Sequence, residues 1–307
     1  MFKSDGLLGC RALDNSTEPT ALPFADNKGT RIHYETHGNG EPLLLIMGYG
    51  LSSDAWTPLL PLLAGYQAII FDNRGTGQSG PPGDDFTLHT LGGDAAAVLD
   101  DIGVTRAHVM GLSMGGMIAQ AMAIDHPDRV ATLVLGCTSP APIRFMGDPE
   151  AGIQLFQGTM LMGSDPDAAL DILIPLVFSN EFLRENPSIR DLARLIVGQA
   201  KLSDDAALAM MRAFGDISKG TMFDVSDRLG EIAVPTLVQH GTADRLVPVE
   251  AGRYIAEHIP GAEYQEFEGA GHVYSMERPA EAFPRVLGFL AAHPISPGAL
   301  AERSRSA

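Results

Sequence analysis

Apolar residues in this chain gather in short continuous runs, and between the runs they recur at helical spacing. Pro42 to Met47 holds Leu43, Leu44, Leu45 and Ile46 in succession, and Gln67 to Phe71, Ala107 to Leu112, Val130 to Leu135 and Thr236 to His240 repeat the pattern. Such runs are too short for buried helices and read as strands covered on both faces. Helical spacing fills the gaps from Ser53 to Leu63 (Trp56, Leu59, Leu60, Leu63), from Leu88 to Ile102 and from Met114 to His126. Apolar strands alternating with helices predict an α/β fold, a mostly parallel central sheet flanked by helices. Arg31 to His37 alternates apolar with polar residues instead, which suits an edge strand after a turn at Asn27-Lys28-Gly29. A strand near Tyr264 to Phe267 and a closing helix from Pro279 to about Ala292 end the pattern.

The alternation stops at Ser139-Pro140-Ala141-Pro142 and resumes at Val234-Pro235. Between them the spacing is helical, with apolar faces at Leu170, Ile172, Leu173, Leu176 and Val177, at Leu192, Leu195 and Ile196, and at Ala207, Met210, Met211 and Phe214. A helical cap over 139–232 is expected, inserted into a core made of 19–138 and 233–293. Residues 1–18 and 294–307 lack period and are expected to be a disordered arm and tail. Met146, Met160, Met162, Met210, Met211 and Met222 concentrate methionine in the inserted region, as either an adaptable apolar site or the packing of the cap's own core would.

Composition narrows the partners. With 38 acidic against 21 basic residues the formal charge is −17, which argues against nucleic acid and anionic membranes. No apolar stretch approaches the roughly 18–20 residues that cross a bilayer. Lys3, Asp5 and Arg11 interrupt any secretory leader, and Cys10 and Cys137 are too few for a disulfide framework, so a soluble cytoplasmic protein is expected. Histidines and carboxylates do not fall at metal-ligand spacing, and no Gly-x-Gly-x-x-Gly opens a helix after the first strand. Neither metal nor cofactor is expected. The oligomeric state is open.

Gly111-Leu112-Ser113-Met114-Gly115 has the form Gly-x-Ser-x-Gly, a weak signal until its setting is added. An apolar strand precedes it and a helix rich in small residues follows, so Ser113 sits on the strand-to-helix turn that exposes a nucleophile. A serine hydroxyl needs a base to take its proton. Of nine histidines, His272 lies in the loop Gly269-Ala270-Gly271-His272 after the last strand, where it can reach across; His240, closing a strand, is the fallback. Asp244, at the end of the strand Thr236 to His240, supplies the carboxylate, whereas the preceding strand offers none before Asp148. The chain order Ser, Asp, His suits this kind of sheet. The amides of Met114 and, from Met47-Gly48-Tyr49-Gly50, of Tyr49 are the candidate oxyanion donors.

These residues make the chain similar to the α/β-hydrolase superfamily over residues 25 to 293, with Gly-x-Ser-Met-Gly-Gly at 111–116, Asp-x-Arg-Gly-x-Gly-x-Ser at 72–79 and Gly-Thr-x-Asp at 241–244. Within it the chain most resembles small bacterial carboxylesterases, 3-oxoadipate enol-lactonases and perhydrolases. The resemblance implies the α/β-hydrolase fold and a scaffold role for the Arg74 loop. The family's oxyanion motif commonly begins His-Gly where this chain has Met47-Gly48. Methylesterases of the aclacinomycin type also carry methionine there.

The expected function is hydrolysis of a small to medium, mainly hydrophobic ester through an acyl-enzyme on Ser113. A lactonase of the enol-lactone type is the alternative, and it would need a cationic pocket residue such as Arg144, Arg184, Arg190 or Arg212 for its anionic substrate. A slow-turnover receptor-like or perhydrolase member of the fold is the remaining reading. Haloalkane dehalogenases and epoxide hydrolases resemble the chain too, but they carry aspartate at the nucleophile position.

Overall fold

A computed structural model describes residues 23–216 and 220–295. The arm expected at 1–18, Cys10 and nearly all of the expected tail lie outside the described residues.

The apolar runs form the middle of an eight-stranded sheet. In chain order the strands are β1 (Phe24–Asn27), β2 (Thr30–His37), β3 (Glu41–Ile46), β4 (Tyr66–Phe71), β5 (Ala107–Leu112), β6 (Val130–Gly136), β9 (Thr236–Gly241) and β10 (Glu263–Phe267), and their spatial order is β1-β2-β4-β3-β5-β6-β9-β10. Pairing is parallel from β4 through β10 and antiparallel for β1–β2 and β2–β4. Successive residues of each run point to opposite faces, so one run feeds two cores. Leu44, Ile46, Ile69 and Val109 pack on one face with helices α1 (Leu88–Ile102) and α2 (Met114–Asp125). Leu43, Leu45, Ile70 and Met110 pack on the other with Trp56 and with α10 (Pro279–Ala292), through Phe283, Val286 and Phe289.

Between β6 and β9 run helices α3 (Pro149–Leu161), α4 (Pro166–Val177), α5 (Asn180–Glu185), α6 (Ile189–Gln199) and α7 (Asp204–Phe214). Asp148, Asp165, Ser179 and Ser203 cap α3, α4, α5 and α7 by accepting a backbone N–H of the first turn. The insertion holds a third apolar cluster around Leu170, Ile174, Phe178 and Val197. Helix α8 (Val249–His258) and the short α9 (Tyr274–Glu277) complete the chain.

Three local expectations are corrected. Ser53 to Leu63 is not one helix but two 3-10 turns, Ser53–Trp56 and Leu60–Leu63. Pro58 and Pro61 lack the N–H groups that a continuous helix would bond. The strand Thr30–His37 is not the edge, because Phe24–Asn27 pairs outside it. The hairpin turns on Lys28 (φ 54) and Gly29 (φ 86), both left-handed as a two-residue hairpin requires. The insertion also contains a small ribbon, β7 (Gly215–Asp216) against β8 (Thr221–Met222). Among the described residues no helix is long and apolar enough to cross a membrane.

The Arg74 loop is scaffold. Arg74 is buried and donates from Nε and Nη2 to the two oxygens of the wholly buried Asp94 of α1, at 2.6 and 2.5 Å. Asn27 Nδ2 adds a third bond to that carboxylate at 2.7 Å, tying the hairpin to the same helix. Removing one partner of a buried pair strands the other charge, at a cost of about 3–5 kcal/mol. Arg74→Ala is therefore expected to lower unfolding stability by about that amount in urea melts at unchanged slope; a loss under about 1 kcal/mol would contradict the scaffold role.

Candidate active site

Ser113 stands between β5 and α2 with φ 57 and ψ −124. A non-glycine residue there is strained by about 1–3 kcal/mol, and the surrounding bonds hold it. Its N–H donates to Gly136 O (2.9 Å), and its carbonyl accepts from Gly116 N (2.9 Å) and Thr138 Oγ1 (2.7 Å). The turn is close-packed. A Cβ on Gly115 would lie 2.1 Å from Ile46 O, so only glycine lets α2 begin this near the end of β3. Gly48 meets the serine from the other side, where a Cβ would come within 3.1 Å of Ser113 Cβ.

The segment around Gly48 carries the departure from His-Gly. Met47 O accepts from Asn73 Nδ2 at 3.0 Å, so the buried amide of Asn73 anchors this strand end. Tyr49 is buried and its hydroxyl donates to Ala207 O at 3.2 Å; burial pushes that hydroxyl's pKa well up. Met114, the first residue of α2, is fully buried behind Ser113.

Asp244 lies in the turn after β9 with its side chain wholly buried. Its Oδ1 accepts the N–H of Leu246 (2.9 Å) and Val247 (3.0 Å), and its Oδ2 accepts from His272 Nδ1 at 2.7 Å. Burial alone would raise this carboxyl, but the charge and hydrogen bond of His272 and those of His240 prevail and hold it well below the ordinary carboxylate range. A carboxylate acceptor at Nδ1 places the neutral ring's proton there and leaves Nε2 free as a base.

His240 is a buried neighbour of this pair rather than a reserve base. It is fully buried in β9, and its Nε2 lies 3.0 Å from Val247 O and 3.3 Å from Asp244 Oδ2. It is not among the residues that line the cavity over Ser113. Its approach to Asp244 was signalled by the spacing His240-x-x-x-Asp244, although the turn that brings them together follows a strand.

Ser113 and His272 line one cavity of about 190 Å³, together with Met47, Gly48 and Tyr49. No hydrogen bond joins Ser113 Oγ to the His272 ring here, and in unliganded sites that bond is often long until substrate arrives. The sheet supplies the floor, and α3, α4 and α6 supply the wall through residues such as Leu155, Leu173, Ile174, Ile196 and Val197. The lining holds no aspartate, glutamate, lysine or arginine side chain. Cys137, at φ 45, also reaches the cavity, and burial pushes its thiol pKa well up, so it stays protonated.

The structure decides two points that the sequence leaves open in the insertion. Of its six methionines only Met162 lines the cavity; Met146 and Met222 are exposed and Met210 is in the core. None of the four arginines considered there lines it either. Arg144 bonds Ser226 and lies over the rings of Phe145 and Tyr254, and Arg190 pairs with Asp171. Among the described residues no group of three or more histidine, cysteine or acidic side chains could hold a metal ion.

The sequence profile of the α/β-hydrolase fold family matches residues 41–279. A 2-hydroxy-6-oxononadienedioate/2-hydroxy-6-oxononatrienedioate hydrolase of Paraburkholderia phymatum is 32% identical over 273 residues, spanning 84% of this chain and 89% of that protein. The enol-lactonase of Burkholderia xenovorans superposes with a TM-score of 0.73 at 28% identity, covering 88% of this chain and 100% of its own. A solved structure described as an N-acyl homoserine lactone degrading enzyme gives a TM-score of 0.72 at 29% identity, covering 87% of this chain and 100% of its own.

The depressed Asp244 carboxyl makes a pH-dependent contribution to stability. Its folded pKa lies below the unfolded value near 3.9, so the contribution is complete above about pH 4 and fades as pH falls through the folded value. Asp244→Asn is expected to unfold at lower urea than the wild type at pH 7, with the gap narrowing below about pH 4. A gap that stays constant from pH 7 to pH 3 would contradict this electrostatic account.

Proposed function

The chain belongs to the α/β-hydrolase fold family, and on that premise we propose that it is a serine hydrolase of neutral, mainly hydrophobic carboxylic esters. Ser113 Oγ attacks the acyl carbon while His272 Nε2 takes its proton. The tetrahedral oxyanion is held by the amides of Met114 and Tyr49. Collapse expels the alcohol, which takes the proton from His272 and leaves the acyl group on Ser113. Water then attacks the acyl-enzyme, again giving a proton to His272, and the acid leaves as Ser113 is re-protonated. Asp244 holds the ring with Nδ1 protonated and stabilises the imidazolium as it forms.

The observation that carries the substrate class is the cavity lining, which has no cation to meet a substrate carboxylate. Drawing an unpaired carboxylate out of water into such a wall is costly. Among the relatives, the dienedioate of one is a poor guide to this chain, while a neutral lactone bearing an acyl chain fits the same wall. A lactonase acting on neutral lactones is therefore the second reading. The strain kept at Ser113, which is half-buried and lines the cavity, favours catalysis over simple binding, since such strain clusters where chemistry is done. With the acidic overall charge, small neutral molecules are the partners that fit and nucleic acid is not.

Ser113→Ala and His272→Ala are each expected to lower kcat/KM on a p-nitrophenyl ester by about three orders of magnitude or more with folding intact. Near-normal turnover by Ser113→Ala would end the proposal. In a panel of matched acyl chains, neutral butyrate and hexanoate esters are expected to exceed the corresponding half-esters of dicarboxylic acids by about tenfold or more in kcat/KM. A preference for the anionic members would overturn the substrate class and leave the mechanism standing.

A further inference from the structure

Glu277, at the end of α9, is a nearly buried carboxylate that the reaction above does not use. Its Oε1 accepts Gly271 N at 3.0 Å and Ser179 N at 2.8 Å, and its Oε2 accepts Ser179 Oγ at 2.6 Å. Ser179 belongs to the link between α4 and α5 in the helical insertion, and its hydroxyl also caps α5. Gly271 immediately precedes His272. On the other side of the histidine, Val273 N donates to Val177 O, the last residue of α4, at 3.1 Å. The residues before and after the base are thus both tied to the same three-residue stretch of the insertion. The fit is close, since a Cβ on Gly271 would lie 2.8 Å from Val177 O and 2.9 Å from both Glu277 Oε1 and Ser179 N.

We propose that Glu277 is a positioning residue that makes the His272 loop and the α4–α5 link one body, so that the insertion sets where the base stands over Ser113. The inference rests on the assignment of Ser113 and His272 given above. The glycines at 269 and 271 leave the loop little stiffness of its own, and Gly269 is left-handed at φ 70. The Asp244 bond fixes one ring nitrogen, and Gly269 N to Thr242 Oγ1 (2.8 Å) and Ala243 N to Ala270 O (2.9 Å) tie the start of the loop, but the amide of Gly271, next to the histidine, bonds Glu277. A buried carboxylate accepting three donors resists separation from any of them, because each donor left unpaired is costly. Val177, Phe178, Val273 and Met276 line the cavity, so the wall that meets the substrate is also the wall that carries the base.

The test is the rate at which a fluorophosphonate labels Ser113, a reaction that needs the serine–histidine pair but no knowledge of the natural ester, combined with kcat and KM on p-nitrophenyl acetate. Glu277→Ala is expected to slow labelling and lower kcat by about 10- to 100-fold, as small misplacement of a catalytic group does, with KM little changed. Glu277→Gln keeps an acceptor for the two backbone donors and is expected to recover to within about threefold of the wild type. Ser179→Ala touches only the insertion's side of the strap and is expected to lower kcat by about threefold or more; it decides the matter should Glu277→Ala not fold. Wild-type labelling rates in folded Glu277→Ala, or in Ser179→Ala where the first does not fold, would overturn the positioning role alone. Failure of the wild type itself to be labelled at Ser113 would overturn the assignment of the site and this inference with it.

Discussion

A serine held at φ 57 is the constraint from which the site follows. The conformation is tolerable because β5 ends and α2 begins within one residue, with the Ser113 N–H accepted by Gly136 of β6 and its carbonyl taking bonds from Gly116 of α2 and from Thr138 just after β6. That closeness in turn demands glycine at 115, against the carbonyl at the end of β3, and leaves a larger residue at 48 in tight contact with the serine. The parallel sheet brings these strand ends to one edge, so Ser113, the Met47–Gly50 segment and the loops carrying Asp244 and His272 share an address by topology rather than by sequence proximity.

Electrostatics divide the site in two. Behind His272 lies the Asp244 carboxylate, with two backbone donors and two histidine neighbours that keep it ionised where burial alone would favour the neutral form. In front lies a cavity whose walls are hydrocarbon. A charge on the His272 ring is answered by Asp244 on one side, while the cavity wall presents no aspartate, glutamate, lysine or arginine side chain on the other. This asymmetry supports neutral esters and neutral lactones over dicarboxylates, even though relatives of similar fold act on varied substrates.

Much of this was legible in the chain because it depends on local pattern. Leu43 to Ile46 declare a doubly covered strand, and Ser113 declares its turn through the strand before it and the small residues after it. Asp244 and His272 follow from their places after successive strands. What escaped depends on partners distant in sequence or on single disruptive residues. Phe24 to Asn27 has no strand pattern of its own and becomes one by pairing with β2. Ser53 to Leu63 has helical spacing, yet two prolines break it. Glu277 carries no local signal of its role, since its partner Ser179 stands 98 positions away. The insertion's methionines fitted a cavity wall or the insertion's own core by composition, whereas Met146 before α3 and Met222 in β8 are exposed and only Met162 reaches the cavity.

The central claim is that an acyl group passes through Ser113, and trapping it is the most direct measurement. Enzyme mixed with p-nitrophenyl butyrate during turnover and quenched in acid should carry a butyryl mass on the peptide containing Ser113. A butyryl group found on any other residue, or hydrolysis at full rate with Ser113 never acylated, would contradict the account.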